Sequence, residues 1–477
     1  MNRAPNILLI HSDQHRQDCL GINGHSLVHT PHLDQLAGEG VNFTHAFTPS
    51  PICSPARASL LTGTWPTTHG CINIEHMEGY QPARRDLPNL WHLLADAGFR
   101  QALVGKFHGE VAGAPADHGV DDAILRDGYD RWREAQGIPP IEVVNGWFGD
   151  VDRAITPAQS RVAWLTDQAL SLMRRYHGEA RPFFIRLDPD EPHLPCRPPE
   201  QESVRYDSTS ILPWPSFSDR LEGKPVAQGR QHEVWGTRSW TWSDWQPVVA
   251  RYLAEVSLID QQVGRLLAQL AELGIADETL VIYSSDHGDY CGGHGLLDKH
   301  YAMYDDLVRV PLIMRFPGRL QKGQTCDAFV CNEIDLARTI ARVAGLGIPD
   351  SFVGQDLLDL ANGREEARSD IFAQYSGCQM GLYSSRMVRD RDWKYVWNPT
   401  ADHDELYDLK SDPGELRNLI NLPSATGQVT RQRRRLITWM KEINDPLFSA
   451  FTRSRLDLRY PAPPPVDWYN HSEYDDP

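Results

Sequence analysis

No apolar run in this 477-residue chain approaches the ~18 residues that a membrane-spanning helix needs, which excludes a transmembrane segment of that kind. Asn6-Ile7-Leu8-Leu9-Ile10 is too short for the apolar core of a secretion signal and soon meets a charge at Asp13. It reads as a first strand, and the expected compartment is cytoplasmic. The eight cysteines include no Cys-x-x-Cys pair; they are too few for a disulfide scaffold and argue against a structural zinc ribbon. Lysine and arginine number 47 against 64 acidic residues, a net charge of −17, which excludes general binding to nucleic acid or to an anionic membrane. Any anion bound here must meet a positive field confined to its site. Internal repeats are absent as well.

What the chain does have is an alternation of short apolar runs with helical patterns. That is the mark of an α/β protein with a mostly parallel sheet covered on both faces. Strands are expected at Asn6–His11, Gln101–Val104, Pro182–Leu187, Thr279–Ser284 and Val310–Phe316, each nearly continuous in apolar residues. A helix is expected over Leu87–Ala97, closed by Gly98. A longer one covers Val248–Leu273, where Val249, Leu253, Val256, Ile259, Val263, Leu266 and Leu270 recur at steps of three and four. Residues 190–247 read as an insertion whose Trp235, Trp240, Trp242 and Trp245 either face sugar rings or pack together. Beyond residue 370 the pattern changes to short strands at Ser385–Val388, Trp393–Trp397 and Glu405–Leu409. The expected organisation is a catalytic domain over 1–370 and a smaller α+β unit with its tail over 371–477. The Pro461–Pro465 segment would wrap the surface or meet another copy in a homo-oligomer.

The densest chemistry lies between Pro51 and Gly63. Ser54 is a suitable N-cap and Pro55 suits the first helical position, so Cys53 is expected just outside a helix N-terminus, where an anion is favoured. Arg57 follows one turn later with a second, charged fork. Two strands then end alike, in Asp13-Gln14 and in Asp286-His287, which would place two carboxylates and two neutral ligands beyond the carboxyl edge of the sheet. Such oxygen-rich donors suit calcium or magnesium, and the histidine extends the choice to manganese. Lys106 and His108 leave a third strand end on one face of an extended segment. His69, His76 and His294 lie near these blocks and are candidates for contact with a leaving group.

Cys53-x-Pro55-x-Arg57 followed by Ala58-Ser59-Leu60-Leu61-Thr62-Gly63 resembles the signature of the type I, formylglycine-dependent sulfatases of the alkaline phosphatase-like superfamily. The resemblance runs from about residue 5 to about residue 420 in ordered blocks, among them Glu191-Pro192-His193-Leu194-Pro195 and Gly295-Leu296-Leu297-Asp298-Lys299. It implies an α/β/α sandwich with a large mostly parallel sheet and a smaller C-terminal α+β subdomain. It also implies that a maturation enzyme oxidises Cys53 to formylglycine. Asp13, Gln14, Asp286 and His287 would hold one divalent metal, calcium first and manganese or magnesium next, with residue 53 completing the set. Many relatives have Asp-Asp and Asp-Asn where this chain has Asp-Gln and Asp-His. That variant resembles a subgroup including choline sulfatases and phosphonate monoester hydrolases.

By the same resemblance, one hydroxyl of the hydrated aldehyde attacks sulfur and the alcohol leaves. The second hydroxyl then loses its proton, the carbonyl reforms and sulfate is expelled, the two-step advantage of covalent catalysis. Arg57 and Lys106 would hold the formylglycine oxygens, and His108 would take the proton that triggers release. His193 and Lys299 would bind sulfate and help protonate the leaving oxygen. The implied substrate is a sulfate monoester of a carbohydrate or small alcohol. The alternative is a phosphonate monoester or phosphodiester on the same fold. Phosphonate monoester hydrolases generally lack the Lys-x-His pair, so Lys106 and His108 favour sulfate.

Overall fold

The computed structural model describes residues 4–449 except 180, 378 and 380, together with 452 and 456. The Pro461–Pro465 segment lies outside the described residues. The main sheet has eight strands: β1 (Asn6–Ser12), β2 (Val41–Phe43), β3 (Arg100–Gly105), β4 (Asp122–Leu125), β5 (Phe183–Asp188), β6 (Thr279–Ser285), β7 (Leu312–Arg315) and β8 (Gln324–Cys326). Their order is β8-β2-β7-β6-β1-β5-β3-β4, and only β7 runs against its neighbours. The period of two along each central strand divides the core. Ile7, Leu9, Leu280 and Ile282 join one apolar cluster; Leu8, Ile10, Val281 and Tyr283 join another on the opposite face. The helices Cys53–Thr62, Leu90–Asp96 and Asn332–Val343 cover the first face. Arg161–His177 and Trp242–Glu272 cover the second. The expected α/β/α sandwich is therefore present.

Three local expectations need correction. The run Val310–Phe316 is not one strand, because Pro311 has no N–H to give a ladder. Arg309–Val310 pairs with Ala46–Phe47 in a small separate sheet, while β7 joins the main sheet antiparallel to β6. The long helix begins at Trp242, not at Val248, with Asp244 accepting from the Thr241 backbone N–H at 2.7 Å. The insertion is accordingly shorter than expected. Its tryptophans pack: Trp240 lies 4.5 Å from Phe148 and 4.9 Å from Trp245, ring centre to ring centre, and Trp245 is fully buried.

Beyond Gly363 the chain builds a four-stranded antiparallel sheet from β9 (Ile371–Gly377), β10 (Tyr383–Arg389), β11 (Trp393–Trp397) and β12 (Glu405–Asp408), in that spatial order. Val388, Tyr395 and Leu406 pack on Leu436 and Met440 of the helix Thr426–Glu442. Its other face, through Ala373 and Met387, meets Phe47, Ile52 and Met303 of the main body.

Candidate active site

Sheet register assembles the site. β1 and β6 pair in parallel from Asn6 with Thr279 to Ser12 with Ser285, so Asp13 and Asp286 leave the sheet side by side. On the other side of β1, β5 pairs with β3 so that Asp188 lies opposite Gly105. The backbone N–H of Lys106 donates to the Asp188 carbonyl at 2.8 Å. A Cβ on Gly105, at φ +114°, would lie 2.0 Å from that oxygen, so only glycine lets the chain pass. A sharp left-handed turn at Gln14, φ +70°, follows the tip of β1.

The side chains of Asp13, Cys53, Asp286 and His287 converge, with ligand atoms within 4.8 Å of one another and all four residues buried. Cys53 Sγ lies 3.2 Å from His287 Nε2 and 3.6 Å from Asp13 Oδ1. His287 Nδ1 faces the Gly288 carbonyl at 2.8 Å, which leaves Nε2 for the centre. Each carboxylate is steered from its other oxygen: Asp13 Oδ2 takes Lys106 Nζ, and Asp286 Oδ2 takes Arg57 Nε at 2.9 Å. Two carboxylate oxygens, an imidazole nitrogen and residue 53 fit a divalent cation with mixed oxygen and nitrogen donors.

The helix bearing Cys53 starts differently from the expectation. Cys53 is its first residue and Ile52 the cap, so Ser54 is not the N-cap and Pro55 is not at the first position. The Ser54 hydroxyl instead donates to the His108 carbonyl at 2.7 Å and accepts from the Glu75 N–H at 3.1 Å. It thereby ties the helix start to the Lys106–His108 segment.

Arg57 is fully buried among carboxylates, with Asp286 on Nε, Asp188 on Nη1 and Asp13 3.6 Å from Nη2. Among the described residues its Nη2 has no hydrogen-bond partner, and neither has His108 Nδ1. Lys299 Nζ reaches Gln14 Oε1 at 2.9 Å, His193 Nε2 at 2.9 Å and Asp298 Oδ1 at 3.0 Å. Gln14 also donates from Nε2 to Asp289 and Asp298, while its backbone N–H donates to Asp286 Oδ1 at 3.1 Å.

The electrostatics favour an anion at residue 53. Burial pushes the Cys53 thiol up, but Lys106, Lys299 and His287 outweigh it and hold the thiol well below its ordinary value. Burial pulls His287 down, yet Asp286 and Cys53 raise it to about 9. Burial disfavours a charged Lys106 too, and Asp13 with Cys53 more than restores it.

Sequence reading missed Asp188, Arg186, Asp289 and Asp298 as site residues. Arg186 meets Asp188 through Nη2 at 2.6 Å and Glu110 at 3.0 Å, all three buried. The available signal was an Arg and an Asp two residues apart inside the apolar run of β5. Of the other histidines, His69 is buried against the Ser59 hydroxyl and His294 stacks on Tyr304 and pairs with Asp219, so both are structural. His76 is exposed, with its ring 6.4 Å from that of His108. The adjoining cleft, about 860 Å³, is lined by Lys106, His108, His193 and Trp147; the four tryptophans singled out from sequence do not line it.

The family model for sulfatases matches residues 5–346, and the model for the C-terminal region of N-sulphoglucosamine sulphohydrolase matches residues 292–442. This chain belongs to the sulfatase family. As a sulfatase it is a sulfuric ester hydrolase. An arylsulfatase of Clostridium perfringens is 30% identical over 463 residues, 91% of this chain and 94% of that protein. A choline-sulfatase of Rhizobium meliloti is 27% identical over 88% of this chain and 83% of its own length. The sulfatase fold here is also similar to the crystal structure of a phosphonate monoester hydrolase of Agrobacterium radiobacter, with TM-score 0.80, 25% identity, 92% of this chain and 96% of that one.

Proposed function

We propose that this sulfatase hydrolyses a sulfate monoester of a saccharide or small alcohol to the alcohol and inorganic sulfate, with residue 53 as nucleophile after conversion to formylglycine. The observation that carries the reading is the position of Lys106 and His108 together beside Cys53. Lys106 bonds Asp13, and His108 interacts with Cys53 while its Nδ1 has no partner among the described residues. A hydrated aldehyde at residue 53 supplies one hydroxyl to attack sulfur and a second whose deprotonation releases sulfate. Burial and Lys106 keep His108 below its ordinary value and so neutral, the state needed to take that proton. Lys106 and Arg57 hold the oxygens at residue 53, and Lys299 with His193 stands where the ester oxygen leaves.

Asp13, Gln14, Asp286, His287 and residue 53 would hold a divalent metal; calcium is the first assignment and manganese or magnesium the next. When bound, the metal polarises sulfate oxygens. Cys53 is only 1% exposed, so a formylglycine-generating enzyme must reach it before this fold closes. The seven described cysteines are buried thiols, which suits a reducing, cytoplasmic setting. No described helix is long and apolar enough to cross a membrane.

The second reading, a phosphonate monoester hydrolase, is favoured by the Asp-Gln and Asp-His pairs and by the similar hydrolase fold. Turnover of an aryl sulfate, an aryl phosphate and a phenylphosphonate monoester by matured enzyme tests the choice. The sulfate ester should be cleaved fastest; faster cleavage of the phosphonate would overturn the assignment.

A further inference from the structure

The cleft beside Lys106, His108 and His193 has a second set of cations that the hydrolytic chemistry does not use. Arg126, Arg161 and Arg197 all line it. Arg126 donates through Nη1 to Asp190, and Arg161 through Nε to Glu191 at 3.1 Å, with side chains 43% and 35% exposed. Neither pairing uses the whole fork. Arg197 goes further: its backbone N–H donates to Glu255 at 2.8 Å, but its guanidinium has no partner among the described residues, and its Nε is buried without one. A buried, unanswered donor on a guanidinium is costly unless a ligand completes it.

The charge balance at this wall points the same way. Asp190 is matched by Arg126 and Arg161, since both ion pairs converge on it. Burial pushes Glu255 up to about 8, aided by Glu191, so it is mostly neutral near pH 7. Arg133 and Asp152, also on this wall, pair with each other, which leaves the guanidinium groups of Arg126, Arg161 and Arg197 against the carboxylates of Asp190 and Glu191. Asp130 and Glu134 also reach the cleft, but from the exposed helix Asp127–Ala135, where solvent screens them. Trp147, 54% exposed, adds a flat apolar face suited to a sugar ring.

We infer that Arg197, with the free arms of Arg126 and Arg161, binds a second anionic group of the substrate, so that the preferred ester is a sulfated sugar also carrying a carboxylate or another sulfate. This rests on the sulfatase reading. An oxyanion of either kind would meet the planar fork through charge-assisted hydrogen bonds.

The test uses matured full-length enzyme and methyl pyranosides with one scissile sulfate on the ring. Each is made in three versions, with hydroxymethyl, carboxylate or sulfate at C6, and 4-nitrophenyl sulfate is assayed alongside. The wild type should favour one charged version over the neutral one by about 10-fold or more in kcat/KM, the scale of one or two charge-assisted bonds. Which version wins separates a carboxylate from a sulfate. Arg197→Gln should bring that ratio to within about threefold, and Arg197→Lys should keep part of it, because a point charge replaces a fork. A wild-type ratio near one, or an unchanged ratio in Arg197→Gln, overturns the inference. So does hydrolysis of 4-nitrophenyl sulfate with none of the sugars. If no sulfate ester is cleaved, the sulfatase reading falls first and the inference with it.

Discussion

Arg57 Nε donates to Asp286 Oδ2 across 2.9 Å, with both side chains wholly buried. The bond fixes which carboxylate oxygen faces the cluster: Oδ1, which takes the Gln14 backbone N–H at 3.1 Å and lies 3.6 Å from His287 Nε2. Removing that carboxylate deletes an anionic donor and leaves Arg57 short of a partner. Asp286→Ala protein should therefore lose its stoichiometric divalent metal, measured by inductively coupled plasma mass spectrometry after gel filtration. Full metal retained at the site would show that the ion is held elsewhere.

The second prediction concerns residue 53. Active enzyme should show a mass deficit of about 18 Da at the peptide carrying Cys53, the change from thiol to aldehyde. Cys53→Ala should lower turnover by roughly a thousandfold or more, as for other deleted nucleophiles. Near-normal activity in that variant would end the proposal.

Asp188 gives a third. It stands between Arg57 and Arg186, bonded to both and fully buried. Burial raises its pKa even against those two cations. Asp188→Asn keeps the shape but leaves two buried guanidinium groups under-compensated. Loss of one partner from a buried pair costs about 3–5 kcal/mol, so urea unfolding should shift to clearly lower midpoints. An unchanged midpoint would mean that Glu110, Asp286 and Asp13 suffice to balance these arginines.

The strand tips were legible because apolar runs stop at acidic residues, and the Asp13 and Asp286 neighbourhood follows from two such tips in one sheet. The Asp188–Arg57 contact was not, since it depends on β5 lying beside β1, a matter of strand order. Ser54 misled for a related reason. Its composition suits a cap, but His108 and Glu75, far off in sequence, claim the hydroxyl. The tryptophans of the insertion resemble a sugar platform until Phe148 is brought against them. Much of the cleft wall comes instead from residues between Arg126 and Arg161 and between Asp190 and Arg197, whose local pattern carries no sign of it.

Glu255 sets a pH dependence of stability. Its folded value of about 8 lies above its ordinary value, through burial first and Glu191 second. The folded state therefore binds the extra proton, and its contribution to stability is complete in acid and lost as pH rises through about 8. Glu255→Gln removes the titration while keeping an oxygen for the Arg197 N–H. Its melting temperature relative to wild type should thus improve by a few °C between pH 5 and pH 8.5. A constant difference across that range would contradict the assigned proton.

Selectivity for sulfate over phosphonate tests the pair Lys106 and His108. A sulfate monoester presents a singly charged group whose oxygens each need a donor or the metal. At the residue 53 end the structure offers Lys106, held against Asp13, and His108, lodged beside Cys53. At the proposed leaving-group end stand Lys299 and His193, 2.9 Å apart. Replacing Lys106 by Ala removes one preorganised cation from a buried site, where such a donor is worth about 10²-fold or more in rate. It also frees Asp13 Oδ2 of its partner, so metal content must be measured in the same sample to separate the two effects. With metal retained, kcat/KM for an aryl sulfate should fall by roughly 10²-fold. A phenylphosphonate monoester, if cleaved, should lose much less, because hydrolases for it generally work without this pair. Equal losses on both substrates would show that Lys106 serves the metal site rather than the choice of ester.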